Sequence, residues 1–407
     1  PLFRKTRIFD GIREKTHTQV FIPHPSKTAD EILELTICEP AMGSAAFLNE
    51  AINQLAEAYI SRKEKETGEI ISYEKRFNEL QKVKMFIADR NVYGIDLNPV
   101  AVELAEVSLW LNTIYEGGFV PWFGTQLVNG NSLIGARRQV YRIDNAQSTS
   151  KGMRWYEMEP ERLPFGTARA DKGYKFGRKQ IYHFLLGDPG MCSYSDKVIK
   201  SLEPDKIKEM VKWNKKFTEP ITDDDIITLL RLSTAIDELW EAQIRLRKEV
   251  GAKTQDVLSI FGHTDDAVDS HTTIRQKDKI YSELYKSEHM RNAGPYARLK
   301  FAMDYWCALW FWPIDKADLL PTRSEFLFDM SLILEGTTDS VVVTDVVTDK
   351  KQTRGQLSLF PTEMEQMALD IIDTYGTDTI VDIPRLRQEN PRLDLAARIA
   401  EQNKFMH

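Results

Sequence analysis

One short stretch of the chain, Thr36–Leu48, constrains the fold more than any other. A β-branched run reaches Glu39 and Pro40, a turn of small residues surrounds Gly43, and an apolar helical pattern begins at Phe47. This order predicts a strand, a tight glycine loop and a helix, which together bring backbone N–H groups up against a ligand. Glycine permits a turn that a Cβ would block. A lone glycine loop is also compatible with a purely structural turn. Other residues are therefore needed to distinguish a ligand-binding loop from such a turn.

The segment that contains this loop alternates strands and helices. Apolar periodicity and turn residues predict three strands, over 31–37, Val92–Leu97 and Gln126–Val128. Between the first two strands they predict a helix from Phe47 to about Arg62, a solvated helical hairpin tip over 61–80 and a short helix through Phe86. Between the second and third strands they predict a helix from Pro99 to about Tyr115. This alternation is typical of an α/β protein with a doubly wound parallel sheet.

The later part of the chain has a different character. Residues 139–335 predict a mainly helical insertion or second domain, with a long helix from Thr222, a second over 273–290 and a third from Pro295. Residues 336–360 are polar and predict a mobile linker. Residues 361–407 predict a helical segment leading back towards the catalytic part, with a helix over 361–375 that stops at Gly376. The first domain is predicted to span 1–138.

Composition limits the classes of function. The net charge is −7 over 407 residues, so any nucleic-acid contact must come from local patches. Three cysteines lie far apart without metal-ligand spacing, which predicts reduced, buried thiols of a cytoplasmic protein. The apolar segment Phe301–Trp312 carries Asp304 and is too short to span a bilayer. The seven histidines show no paired spacing, so no metal site is predicted, and His24 and His183 are interpreted as ordinary core or surface residues.

Two further positions strengthen the case for a ligand site. Asp96 ends the second predicted strand, where doubly wound folds place the acid that holds ribose hydroxyls. Asn131–Leu133 follow the third strand, where amide and hydroxyl groups meet an adenine edge. In isolation, Asp96 is compatible with a cap for the helix begun at Asn98, and Asn131 with a plain turn. Because all three loops follow parallel strands, one nucleoside-like site explains them better than three separate turns.

Two clusters elsewhere are candidates for DNA contact. A loop over 169–179 interleaves aromatic residues with four basic ones, Lys172, Lys175, Arg178 and Lys179, a mixture suited to phosphate and base contact or to a solvated basic loop. Trp306, Trp310 and Trp312 share a helical face, and core packing is favoured over a base-stacking platform.

These motifs resemble a known family. Glu39–Leu48 is similar to motif I of adenine-N6 DNA methyltransferases, usually Asp-Pro-Ala-x-Gly-Ser-Gly-x-Phe-Leu. Tyr93–Ala101 with Leu109–Leu111 resembles the next motif, and Gly130–Ile134 resembles the third. The three motifs fall within residues 36–135, about a quarter of the chain.

Two segments further along resemble a narrower group. Tyr296–Lys300 and Trp306–Pro313 look like segments of the large methylases of restriction-like phage-defence systems, of the DISARM and BREX kind. Three positions depart from the family pattern: Ala45 replaces a glycine, Glu39 replaces the commoner aspartate, and Asn131 stands where many relatives have aspartate.

The resemblance implies a class I methyltransferase with a Rossmann-like sheet, S-adenosyl-L-methionine as cofactor, and double-stranded DNA and other proteins of a defence system as partners. The residues it implies for the methionine side are Glu39, Pro40, Ala41, Gly43 and Phe47, those for the ribose are Asp96 and Leu97, and those for the adenine are Asn131, Ser132 and Leu133.

The family's catalytic signature, Asn/Asp-Pro-Pro-aromatic, does not occur in the sequence. Asp188-Pro-Gly lacks the second proline and the aromatic residue, and Asn390-Pro-Arg is interpreted as a loop. In the family this motif follows the cofactor motifs and the insertion, so it is expected beyond His407, in a longer protein of which this chain is an internal piece. The alternative is a catalytically silent scaffold or DNA-recognition subunit that retains the fold. A nicotinamide-dependent oxidoreductase is disfavoured because GxGxxG is missing.

Overall fold

The computed structural model describes residues 28–163, 180–263, 272–336 and 381–407. They form two compact units. The first unit contains the described residues up to Leu133, the segment Lys248–Tyr285 and Met406, and the second contains Ile134–Arg247, the described part of Lys286–Phe405 and His407. Residues 337–360 of the predicted linker, the predicted helix over 361–375 and the four basic residues of the 169–179 loop lie outside the described residues. The domain ranges deduced from the sequence stay a prediction.

A parallel three-stranded sheet organises the first unit. Its strands are β1 (Ile37–Glu39), β2 (Val92–Asp96) and β3 (Leu127–Asn129), in the order β1-β2-β3. Ile37 pairs with Val92 and Gly94 with Leu127, and both pairings are parallel. The order of the three strands along the chain matches the sequence prediction, and β2 and β3 lie within one residue of their predicted bounds.

The predicted start of the first strand is wrong. Ala29–Leu33 form helix α1, and the strand begins only at Ile37. Thr28 accepts from the Glu31 N–H while the Glu31 carboxylate accepts from the Thr28 N–H, a capping box that fixes a helical turn in this apolar run.

Three helices accompany the sheet, namely α2 (Ala46–Thr67), α3 (Tyr73–Arg90) and α4 (Pro99–Thr113). Helix α2 ends at Gly68 in the left-handed conformation, and the turn to α3 is the predicted hairpin tip. Helix α3 is longer than predicted because it begins at Tyr73. Asn98 caps α4, with Pro99 in its first turn as expected.

The chain is a mixed α/β protein that is mostly helical, with this small parallel sheet. Its strand order runs in one direction, without the reversal that defines a doubly wound sheet. The Rossmann-like architecture as a whole therefore stays a prediction, and the described strands fit one half of it.

The second unit is mainly helical, as predicted, but it also contains a small antiparallel sheet that the sequence analysis missed. Its strands are β4 (Gln139–Arg142), β5 (Glu161–Arg162) and β6 (Gln180–Tyr182), in the order β5-β4-β6. Strands this short carry too little alternation to be recognised.

The remaining helices are α5 (Ile143–Gln147), α6 (Lys197–Leu202), α7 (Pro204–Phe217), α8 (Asp223–Thr254), α9 (Ile274–Tyr285), α10 (Glu288–Ala293), α11 (Pro295–Ala308), α12 (Arg323–Leu334), α13 (Ile383–Glu389) and α14 (Pro391–Asn403). Short 3₁₀ turns cover Trp155–Glu157, His183–Leu185 and Ile314–Leu319. Among the described helices, none is long and apolar enough to cross a membrane.

The tryptophan cluster belongs to the core of the second unit. Trp312 is fully buried, and the Trp306 Nε1–H donates to the Leu186 carbonyl at 2.8 Å. The Trp306 and Trp310 rings pack edge to face with centroids 4.4 Å apart. Core packing is therefore the correct interpretation of this motif. His183 is also buried there, and burial lowers its pKa to about 4.

A buried carboxylate, Asp329, joins three helices of the second unit. It accepts hydrogen bonds from the Tyr305 hydroxyl at 2.9 Å, from the Asn390 amide at 3.0 Å and from the Arg392 guanidinium at 3.0 Å. Asn390 is the N-cap of α14 and has an extended backbone between two helices, whereas Pro391 and Arg392 already belong to α14, so the interpretation of Asn390-Pro-Arg as a loop was wrong for the last two residues. Removing one partner from such a buried group typically costs about 3–5 kcal/mol.

The cysteines were predicted to be buried thiols, and this is correct for two of the three. Cys192 and Cys307 are buried, and burial raises the pKa of each thiol to about 12. Cys38 is exposed because it lies on β1, whose middle residue faces solvent. All three thiols are free.

A buried ion pair lies in the first unit, where Lys248–Tyr285 meets α3. Lys277 and Asp256 form a 2.5 Å pair, and each side chain is only 1% exposed. Arg90 donates to the Asp256 carbonyl at 2.8 Å. The nearby Asp89 side chain is 9% exposed, and its pKa is raised from 3.8 to about 6. Burial is the main cause; the Lys277 charge opposes it, and the Asp256 carboxylate adds to it.

The raised pKa of Asp89 predicts a stability that depends on pH. The folded state holds the Asp89 proton more tightly than the unfolded state, so the contribution of this group to stability is fully present below pH 3.8 and is lost as the pH rises through about 6. Asp89→Asn removes this penalty, and we expect it to stabilise the protein by about 1–3 kcal/mol near neutral pH, with the difference vanishing near pH ~4. Urea unfolding across this range measures it. Asp205→Asn, at a side chain that is 90% exposed, is the control. A difference that does not change with pH would contradict the assignment.

Candidate functional site

The loop between β1 and α2 has an unusual backbone. Gly43 and Ala45 both take left-handed conformations, with φ of 54° and 64°. The Met42 N–H donates to the Ile95 carbonyl at 3.1 Å, and the Ala45 N–H donates to the Met42 carbonyl at 2.8 Å. Helix α2 begins directly after Ala45, which makes no side-chain capping bond. This part of the loop is therefore a tight turn held against β2.

Asp96, at the end of β2, holds the loops that follow all three strands. Its Oδ2 accepts from the Gly43 N–H at 2.9 Å and its Oδ1 from the Asn98 N–H at 2.8 Å. Its backbone carbonyl accepts from the Gly130 N–H at 2.9 Å and from the Asn129 amide at 2.8 Å. The cap of α4 is the Asn98 side chain, which accepts from Val100 at 3.1 Å. Asp96 therefore does not serve as that cap, and its carboxylate connects the first loop to β2.

The loop after β3 contacts the loop after β1. The Ser132 hydroxyl donates to the Pro40 carbonyl at 2.7 Å. The Asn131 side-chain oxygen accepts from the Leu133 N–H at 3.1 Å, which is the local turn that an Asn in this position favours. The predicted residues of the first and third loops are thus brought to one edge of the sheet.

An apolar side chain is exposed on, or directly after, each of the three loops at this edge. Phe47 is 78% exposed, Leu97 is 54% exposed and Leu133 is 92% exposed. Single exposed apolar residues are ordinary on a protein surface. Here, however, Leu97 and Leu133 lie on loops and Phe47 lies in the first turn of α2, directly after the first loop, and hydrogen bonds join these loops. The edge therefore has apolar surface beside its polar groups.

Glu39 is a carboxylate at this edge of the sheet with an unusual electrostatic environment. Its Oε2 is buried and has no hydrogen-bond partner among the described residues. Burial raises the pKa of this carboxyl group, the Leu48 backbone N–H opposes the rise, and the Asp96 carboxylate adds to it. A buried acceptor without a donor is unfavourable. A cationic donor at this position would relieve both the desolvation and the repulsion from Asp96.

The structure therefore brings Glu39, Gly43, Asp96 and Ser132 together through hydrogen bonds or electrostatic contact, as their positions after parallel strands predicted. Pro40, Ala41, Leu97, Asn131 and Leu133 lie on the same loops, and Phe47 lies in the first turn of α2. The DNA-contact candidates Lys172, Lys175, Arg178 and Lys179 lie outside the described residues. Among the described residues, no group of three His, Cys, Asp or Glu side chains could hold a metal ion.

Two residues of this edge were missed by the sequence analysis. Asn129 donates to the carbonyls of Asp96 and Leu97, at 2.8 and 2.9 Å. Gly94, in the middle of β2, leaves room for the first loop, because a Cβ there would lie 2.2 Å from the Met42 sulfur. A glycine inside a predicted strand marks a close approach of this kind, so the signal for Gly94 was available.

The described strands form a three-stranded parallel sheet, and the three loops lie at the carboxyl ends of its strands, which is the edge where open α/β sheets bind ligands.

Over 90 residues, 21% of its length, the chain is 32% identical to a putative type II restriction enzyme and methyltransferase of Methanocaldococcus jannaschii. The chain covers only 6% of the length of that protein. No protein-family model and no solved structure matches the chain.

Because the Asp96 carboxylate accepts hydrogen bonds from two loop amides, its removal is predicted to change the hydrogen-exchange rates of those amides selectively. Asp96→Ala removes the acceptors of the Gly43 and Asn98 N–H groups but keeps the backbone carbonyl that accepts from Gly130. We expect faster hydrogen exchange at Gly43 and Asn98, unchanged exchange at Gly130, and a loss of about 1–3 kcal/mol in unfolding free energy. Exchange resolved to single amides by NMR measures this. Equal acceleration at all three amides would show general loosening instead.

Proposed function

We propose that this chain carries the S-adenosyl-L-methionine-binding part of an adenine-N6 DNA methyltransferase of a restriction-like, phage-defence system. The observation that carries the proposal is the hydrogen bond from the Gly43 N–H to Asp96, beside a buried Glu39 oxygen to which no described residue donates. The similarity to a putative restriction enzyme and methyltransferase supports the same class of activity. In the proposal the partners are double-stranded DNA and other proteins of the system, in the cytoplasm.

The residues fit the chemistry of this cofactor, which carries an ammonium group, a sulfonium centre and two ribose hydroxyls. Glu39 offers its unpartnered oxygen to the ammonium group. The Asp96 carboxylate accepts two backbone N–H groups and, because a carboxylate has about four acceptor positions, it retains capacity for ribose hydroxyls. Among the residues that the structure describes, those next to Gly43 in the chain aside, no atom lies within 4 Å of the point where a Cβ on Gly43 would stand, so this side of the loop offers room for a ligand.

The proposed roles follow the three loops. Glu39, Pro40, Ala41, Gly43 and Phe47 hold the methionine part, Asp96 and Leu97 hold the ribose, and Asn131, Ser132 and Leu133 flank the adenine. The exposed side chains of Phe47, Leu97 and Leu133 supply the apolar surface that a nucleoside requires. When bound, the cofactor supplies an electrophilic methyl group. The target adenine has to leave the DNA stack to reach it.

A second candidate function is a scaffold or DNA-recognition subunit that keeps the fold without transferring a methyl group. The observation that favours it is the absence of an Asn/Asp-Pro-Pro-aromatic tetrapeptide from the 407 residues. Such a subunit would bind DNA without requiring S-adenosyl-L-methionine. Calorimetric titration with the cofactor therefore separates the two functions.

Two glycine variants test the cofactor site with matched strain. Gly43 and Gly68 both have positive φ and open space where a Cβ would stand, so Gly43→Ala and Gly68→Ala should each cost about 1 kcal/mol of stability. Only Gly43 lies in the proposed site, while Gly68 ends α2 at its far end. We expect isothermal titration calorimetry to show S-adenosyl-L-methionine binding to the wild type and to Gly68→Ala, and binding at least about 10-fold weaker to Gly43→Ala and Asp96→Ala. No binding to the wild type, or equal binding to all four proteins, would refute the assignment.

A further inference from the structure

A groove in the second unit is lined by helices α10, α13 and α14. Its volume is about 680 Å³, and its lining residues are Arg291, Asn292, Ile383, Pro384, Arg387, Gln388, Pro391, Asp394 and Arg398. None of them belongs to the proposed cofactor site, which lies in the first unit.

The groove has a strong local charge. Three arginines face one carboxylate, so the lining carries an excess of two positive charges in a chain whose net charge is −7. Two side-chain amides, of Asn292 and Gln388, add uncharged donors. The groove is therefore suited to an anion rather than to a neutral or cationic ligand.

Asp394 positions two of the three guanidinium groups. Arg387 donates from Nε and Nη2 to Asp394 Oδ1, both at 3.2 Å, and from Nη1 to Glu401 at 2.7 Å. Arg398 pairs with the other oxygen of Asp394 at 2.9 Å, and its side chain is 60% exposed. Arg387 is thus neutralised by its two partners, whereas Arg398 shares one carboxylate and faces solvent.

Arg291 supplies a cation that is not neutralised. It lies in the last turn of α10 and is exposed. Its guanidinium makes no ion pair or hydrogen bond within the part of the chain that the structure describes. Together with Arg398 it offers planar guanidinium groups with free N–H donors, which is the geometry that binds phosphate oxygens in pairs.

We propose that this groove binds phosphate groups of a nucleic-acid backbone, with Arg291 and Arg398 as the direct contacts and Arg387 and Asp394 as positioning residues. The inference rests on the proposed function for the identity of the nucleic acid, double-stranded DNA. Contacts to phosphate fix the register and orientation of a protein on the duplex without reading its sequence. The groove would therefore contribute affinity and not sequence preference.

Two charge variants with matched controls test the groove in the full chain. Arg291→Ala/Arg398→Ala removes the direct contacts, and Arg385→Ala/Arg231→Ala removes two exposed arginines that do not line it. Fluorescence anisotropy with a labelled duplex, from about 50 to 200 mM salt, measures the affinity. We expect the groove variant to bind about 10-fold more weakly at low salt, with the slope of log K against log salt reduced by about 1–2, and the control to change little.

The second variant has the opposite expected effect. Asp394→Asn keeps a side-chain oxygen that can position Arg387 but removes the negative charge of the groove, so we expect DNA binding to tighten several-fold and the salt slope to increase. Glu389→Gln is its control, because Glu389 pairs with Arg385 at 2.7 Å on the same helix as Arg387 and does not line the groove. A partly unfolded variant would not bind more tightly, so this arm stays informative if the double arginine variant folds poorly.

The outcomes separate the two proposals. Equal effects in the variants and their controls, or no DNA binding by the wild type, would overturn the groove assignment. Calorimetry with S-adenosyl-L-methionine on the same proteins reports on the cofactor site independently. Titration with inorganic phosphate distinguishes the source of the phosphate, because arginine-dependent phosphate binding with unchanged DNA affinity would point to a small phosphate ligand and overturn the nucleic-acid assignment.

Discussion

The proposed cofactor site depends on Asp96 more than on any other residue. Its two carboxylate oxygens accept the N–H groups of Gly43 and Asn98, and its carbonyl accepts the Gly130 N–H. One residue at the end of one strand therefore positions the loops that follow all three strands of the parallel sheet. The relative placement of Glu39, Ser132 and the exposed apolar side chains follows from these bonds, because each of them lies on or next to a loop that Asp96 holds.

Asp96 can serve as a brace and still be available to a ligand because other groups perform the local tasks around it. Asn98 caps α4, and the Leu48 N–H interacts with Glu39 rather than with Asp96. Glu39 remains the less satisfied of the two carboxylates, with a raised pKa and a buried oxygen that accepts from none of the residues in the described ranges. The two acids would therefore have different roles towards a cationic nucleoside: Asp96 is already organised by the protein, and Glu39 requires the ligand.

The parts of the fold that could be predicted are those with a strong local signal. The glycine loop, the Asn98-Pro99 helix start and the acid at the end of β2 all lie within a few residues of the features that identify them. The parts that were missed depend on distant partners. The Lys277–Asp256 ion pair joins residues that are far apart in the sequence, and so do the hydrogen bonds of Asp329 to Tyr305, Asn390 and Arg392. Strand β4 pairs with two strands that are too short to show alternation. None of these interactions leaves a pattern in the local sequence. Helix α1 was misassigned as part of a strand because its apolar residues are compatible with either structure. The capping box formed by Thr28 and Glu31 favours the helix.

Ala45 shows how the loop keeps its conformation without the glycine that the resembled family has at this position. A left-handed conformation costs a non-glycine residue about 1–2 kcal/mol. Ala45 is fully buried, so its methyl group recovers about 0.8 kcal/mol by leaving water, and its N–H bonds the Met42 carbonyl. Since alanine also loses less backbone freedom on folding than glycine, the net cost of the substitution is small. The loop is thus held by packing and by Asp96 rather than by glycine flexibility, and a site fixed in this way loses little entropy when a ligand binds.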